Sequence, residues 1–154
     1  MASTPIRRNR HGGIDIRLSS DERELLLILG PQLRTLLTDD PDDPTLKRLF
    51  PPAYVDDTEA ESFYRLLARD ELLSRRLANL DSLERAARAD RLSEEEALTF
   101  LSALNDLRLV LGTRLGVSED DDPANLDPAD PEAGLHSVYH YLGWLLELTL
   151  AALR

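Results

Sequence analysis

The chain of 154 residues contains no cysteine. That excludes disulfides, thiolate zinc sites, thiol catalysis and cysteine redox sensing within it. Aromatic residues make up only 5%, and β-branched residues are few beside Leu and Ala, which weighs for helices over sheets. Positive charge is also short: 18 Lys and Arg stand against 29 Asp and Glu, a formal net charge of -11. Such a body repels polyphosphates, so nucleic acid is not an expected ligand of its general field, and a basic partner fits better. No stretch reaches the roughly eighteen apolar residues of a membrane span. The N-terminus lacks the apolar core of a signal peptide, so a cytoplasmic protein without membrane contact is expected. No serine sits in a nucleophile elbow and no glycine-rich loop follows a strand. Without a convergent acid, base and nucleophile, an enzyme is not expected.

What is present is helical periodicity. Asp90 to Val117 reads as one long helix around which the rest is organised, opened by a Ser93/Glu96 capping box. Ala97, Phe100, Leu101, Leu104, Leu107, Leu111 and Leu115 form one apolar arc, too broad for a surface helix. Arg108 projects from the middle of that arc with Asn105 at its edge, so a carboxylate is expected to meet it, with Asp56, Asp57 and Glu119 as alternatives. A structural ion pair is the first reading of that arginine and a binding role the second.

Taken in order, residues 1–13 form a basic polar tail with Arg7, Arg8 and Arg10. His11-Gly12-Gly13 turns Pro5–Asn9 onto Ile14–Leu18 as a small hairpin. The arginines read as a solvated edge ahead of a nucleic-acid arm. Residues 14–154 read as a single helical domain with acidic loops near 39–57 and 118–130. Ser19/Glu22 repeats the capping box, Gly30-Pro31 predicts a kink or break, and the helical piece ends near Leu37. The segment from Leu46 to Val55 is too apolar to float in water and should pack across the helices. Asp57 or Thr58 caps the next helix, which runs to about Arg88 with a break or bend at Asp70. Gly116 is a natural left-handed cap, and Asp130-Pro131 starts the last helix, which ends near Leu153. That helix is apolar over most of its surface, so it is either the centre of the bundle or half of a homodimer interface.

His136 and His140 have metal-ligand spacing but no intervening glutamate and no third ligand, so they read as part of the last helix's hydrophilic stripe. The clusters Asp39–Asp43 and Glu119–Asp122 lack the pattern of a calcium loop and read as solvated charge. No metal and no cofactor is expected. The fold expected is mainly α: an orthogonal or up-down bundle of about five helices with a small N-terminal β-hairpin.

Two stretches carry a family likeness: Arg48-Leu49-Phe50-Pro51-Pro52-Ala53-Tyr54 followed by Asp56-Asp57, and Leu104 to Gly116, LNDLRLVLGTRLG. With the glycine turn before the first helix and Tyr141 to Leu145, they resemble an actinobacterial family of small acidic proteins described as a domain of unknown function. That family includes oxidative-stress transcriptional regulators labelled AosR. The resemblance implies a cytoplasmic, non-catalytic protein that influences transcription by contacting a partner such as a sigma factor or RNA polymerase. As the alternative, it implies a self-associating structural or adaptor protein linked to Clp proteolysis or sulfur metabolism. Arg48, Phe50, Tyr54 and Trp144 are the residues expected to meet the partner. Self-association through the last helix and DNA binding by the N-terminal arginines are the further readings.

Overall fold

Both Ser-x-x-Glu boxes form, and each starts a helix. In the computed structural model, which describes residues 4–51, 53–117 and 129–154, Ser19 and Ser93 each accept the amide three residues on, and Glu22 and Glu96 accept the cap amides in return. The described elements are β1 (Ile6–Arg8), β2 (Ile14–Ile16), α1 (Ser20–Asp39), a short 3-10 turn (Pro44–Leu46), α2 (Thr58–Ala86), β3 (Arg91–Leu92), α3 (Glu94–Leu115) and α4 (Ala133–Leu153). The protein is thus mainly α with an N-terminal hairpin, as its composition predicts.

Neither expected interruption breaks its helix, so four long helices rather than about five are found among the described residues. α1 stays helical through Pro31 because that ring lies on the exposed side, while Leu26, Gly30, Leu33 and Leu37 are buried opposite it. Packing on both sides of the proline offsets the lost backbone bond. α2 likewise passes through Asp70 without a break, its exposed carboxylate costing the helix little.

The hairpin pairs Ile6 with Ile16 and Arg8 with Ile14, closed by a turn in which Asn9 Oδ1 accepts the amides of His11 and Gly13. β3 adds to the other edge of β2, pairing Leu92 with Ile14. Ile6, Ile14, Ile16 and Leu92 turn inward and are buried, and Arg7 and Asp15 turn outward. Two-residue strands carry no periodicity of their own, which is why β3 has no signature in the sequence.

α3 lies at the centre, packed against α4 and α2 most extensively and also touching α1, β3 and the 3-10 turn. Its Ala97, Phe100, Ala103, Leu104 and Leu107 meet a core drawn from every other helix, including Leu26 and Leu37 of α1, Leu80 and Leu83 of α2, and Leu142 and Leu145 of α4. Gly116 ends it in the left-handed region at φ 69°, the conformation a side chain resists. Leu46 and Leu49 of the apolar segment are buried across the helices.

α4 begins at Ala133, later than Asp130-Pro131 predicts. Asp130 Oδ1 instead accepts the Glu132 amide (2.8 Å) in a turn before the helix. His136 is buried rather than on a hydrophilic stripe, because that side of α4 faces the bundle; His140 is half-buried and Glu147 exposed. Arg8 ties the end of α4 down by donating to the carbonyls of Ala152 (3.0 Å) and Leu153 (3.2 Å), where helix carbonyls lack partners. No helix among the described residues is long and apolar enough to cross a membrane.

Candidate functional site

Arg108 is half-buried, and Asp56 and Asp57 do not meet it. Both aspartates are exposed at the start of α2, where Asp57 accepts the Ala60 amide (3.0 Å) and satisfies an orphan donor of its own helix. The third alternative, Glu119, lies outside the described residues. Arg108 donates to Asn105 Oδ1 (3.2 Å) one turn back and to the Tyr139 hydroxyl (3.4 Å) on α4. Its guanidinium carbon is 6.0 Å from the Tyr139 ring centre, at the outer range of a cation–π contact. Tyr139 packs so closely on Gly112 that a Cβ there would lie 2.9 Å from its ring.

Among the described residues, a buried ion pair in the helical core joins two residues outside that expectation. Arg76 of α2 donates to Asp106 of α3 at 2.8 Å, and the Asp106 side chain is only 2% exposed. A second Arg76 nitrogen donates to the Leu49 carbonyl (3.3 Å), so one guanidinium joins α2, α3 and the apolar segment. Burial pushes the Asp106 carboxyl up to about 6, against the opposing pull of Arg76 and Asn79. Helical spacing sets Asp106 on the side of α3 opposite the apolar arc, so its burial carries no signal in the sequence and follows from the packing of α2 on that side. Arg76 was hidden beside Arg75 in a segment that looks polar.

A second unanticipated arginine organises the other end. Arg23 donates to four carbonyls, those of Ile16, Leu18, Ala87 and Ala89, at 2.7–3.3 Å, and pairs with Asp90 at 3.5 Å. It joins β2, α1 and the α2–β3 turn. Nearby, the Tyr141 hydroxyl of α4 donates to Glu22 Oε2 (2.6 Å), so the capping-box carboxylate also anchors the last helix. Burial and the facing Glu22 hold the Tyr141 phenol far above its ordinary range. Burial works to raise Glu22, but the Tyr141 and Ser19 hydrogen bonds outweigh it and lower its pKa.

Of the four residues expected to meet a partner, Phe50 lines a cleft and Tyr54 packs on Tyr64 of the same lining. Phe50 lines a cleft of about 190 Å³ between the apolar segment and the N-terminal half of α2, with Pro44, Leu46, Tyr64 and Leu72. Tyr54 stands edge-on to Tyr64, ring centres 6.1 Å apart, and is 50% exposed. Glu61 holds this loop by accepting the amides of Ala53 (2.7 Å) and Tyr54 (2.9 Å), and Arg65 closes on its other oxygen at 2.7 Å. Arg69 crosses to Asp42 at 2.8 Å. Arg48 turns away from the cleft, donating to the Val117 carbonyl (3.2 Å) at the end of α3. Trp144 sits on α4, 47% exposed, beside Tyr141 at 6.0 Å. Among the described residues, no three His, Asp or Glu side chains converge as a metal site.

Comparison with known proteins places this chain among relatives. A family model described as Domain of unknown function (DUF2017) matches residues 3–153. Proteins named Oxidative stress regulator AosR, from Mycobacterium bovis and from Mycobacterium tuberculosis, are each 33% identical over 152 residues, covering 88% of this chain and 68% of the relative. No solved structure matches it.

Proposed function

We propose, because this chain belongs to the DUF2017 family, that it is a non-enzymatic regulatory protein of the stress response that acts by binding a protein partner. A sigma factor or RNA polymerase is the partner class the reading names, and the cytoplasm its place. What carries it is the likeness, over most of the chain, to relatives named oxidative stress regulators. The cleft beside Phe50, whose Tyr64 wall is in edge contact with half-exposed Tyr54, supplies an apolar surface for such a contact. With no cysteine in the chain, thiol-based sensing of peroxide lies in a partner or is absent. The test is capture of the tagged protein's partners from a lysate of its host at low salt. A sigma factor or RNA polymerase is expected, with affinity falling as salt rises because the net charge of -11 favours basic surfaces. Recovery of the protein alone would move the reading to self-association.

One observation favours a second reading. Arg7, Arg10, Arg17 and Arg91 line a single shallow depression on the outer face of the sheet around Asp15, so the fold adds two arginines to those of the tail. A local polyanion contact, such as a DNA backbone, fits that patch. Anisotropy titrations with duplex DNA at low salt decide it: Arg17→Ala/Arg91→Ala should flatten the salt dependence, and no binding by the unaltered protein removes the reading.

A further inference from the structure

The N-terminal half of α2 carries three large apolar side chains in water: Phe63 is 64%, Leu66 79% and Leu67 67% exposed. They recur at i, i+3 and i+4, so they share one face of the helix. Tyr64, Ala68 and Leu72 on another face line the cleft, and the three exposed residues do not. The stripe is the free end of a seam: positions 63, 66, 70, 73, 77 and 80 alternate spacings of three and four, and the seam passes into the core at half-buried Leu73 and Leu77 and buried Leu80. An exposed apolar seam of this kind marks a contact surface.

Charge decides what covers it. Asp70 occupies a seam position and is exposed, with exposed Glu59 about three turns earlier on the same face. Among the described residues neither has an ion-pair partner, whereas Arg65, Arg69 and Arg75 are engaged with Glu61, Asp42 and Glu71. The seam therefore presents apolar side chains around an uncompensated carboxylate. A second copy in parallel would set Asp70 against Asp70, and in antiparallel register centred on Leu66 and Leu67 it would press Asp70 onto Phe63; both bury an unpaired carboxylate. A membrane of anionic lipid is repelled by the same charges.

We propose that the exposed seam of α2 docks an amphipathic helix of a partner protein, one that lays Leu-type side chains on Phe63, Leu66 and Leu67 and sets a Lys or Arg against Asp70. The proposal rests on the reading of this chain as a protein-binding regulator and names the chemistry of its partner.

The probe is a labelled peptide of three heptads with Leu at the seam positions and one central seam Lys, together with a twin carrying Glu in place of that Lys. Anisotropy should show the Lys peptide binding about tenfold tighter than its twin. Asp70→Lys should reverse the preference, and Phe63→Ser/Leu66→Ser should abolish binding of both while the far-UV circular dichroism is unchanged. Equal binding of the twins, or a preference that survives Asp70→Lys, overturns the proposal. So does a concentration-dependent dimer in sedimentation that Phe63→Ser/Leu66→Ser dissolves, which would give the seam to a second copy. Binding to phosphatidylglycerol vesicles lost in the same variant would give it to a membrane and overturn it too. Undiminished capture of a sigma factor or RNA polymerase by Phe63→Ser/Leu66→Ser overturns the seam and leaves the regulatory reading standing.

Discussion

Arg76 Nη1 lies 2.8 Å from Asp106 Oδ1, and the carboxylate it meets is almost wholly removed from water. The pair couples the middle of α2 to the middle of α3, and through the Leu49 carbonyl it also holds the apolar segment that walls the cleft. Removing the cation leaves the buried carboxylate uncompensated. Arg76→Met should cost about 3 kcal/mol at pH 7.5, measured by urea denaturation. At pH 4.5, where Asp106 carries its proton in the native state, the loss should shrink clearly; an equal loss at both pH values would mean that packing, not charge, dominates.

The same carboxyl makes stability depend on pH. Burial raises Asp106 from 3.8 to about 6 in the folded protein, so the folded state binds its proton more tightly than the unfolded one. For a raised acid the contribution is fully present below about pH 4 and is lost as the pH climbs through about 6. The shift corresponds to about 3 kcal/mol. Asp106→Asn cannot titrate, so wild-type stability minus variant stability should fall by up to that amount between pH 4 and pH 7. The lowered Glu22, Glu61 and Glu96 act with the opposite sign, favouring folding above their ordinary 4.5 and losing it in acid, but they are common to both proteins and cancel. A flat difference curve would refute the buried titration.

Gly112 and Gly134 should respond oppositely to alanine. In a helix, Ala is favoured over Gly by about 1 kcal/mol. At Gly112 a Cβ would lie 2.9 Å from the Tyr139 ring and 3.3 Å from Arg48 Nη1, so the clash outweighs the propensity and a net loss of about 1–3 kcal/mol is expected. At Gly134 nothing lies within 4 Å of that position, and Ala should stabilise α4 by about 0.5 kcal/mol. Thermal melts of the two variants against wild type give the signs directly.

Arg23→Lys keeps the charge and loses the fork. One ammonium cannot reach the carbonyls of Ile16, Leu18, Ala87 and Ala89 together, so a destabilisation of about 2 kcal/mol is expected. The Ile16 amide, bonded to the Asp90 carbonyl at 2.8 Å in the same knot, should exchange its hydrogen faster. Unchanged protection there would separate Arg23 from the sheet.

Features closed within one helical turn were legible in the chain. The Ser19 and Ser93 boxes, the Asp57 cap and the left-handed Gly116 each depend on residues within about four positions of one another, and each forms as its pattern predicts. Pro31 obeyed the tertiary context instead of its local rule, because burial on the opposite face of α1 outweighed one missing bond. Arg108 shows the same limit at the site: periodicity placed it in the middle of the apolar arc, but its hydrogen-bond partner on α4 is the Tyr139 hydroxyl and not the aspartates before α2.

By itself, then, the order of residues determined helix content, most helix ends, the hairpin, the absence of thiol chemistry and the acidic field, since these follow from neighbours in sequence or from simple sums of charge. Tertiary structure alone decided that Arg76 meets Asp106, that β3 joins the sheet, that His136 is buried, and that Phe63, Leu66 and Leu67 stay in water. Helical periodicity states which side chains share a face. Which face another helix covers depends on contacts between residues far apart in the chain, and those are settled by the packing of the whole core.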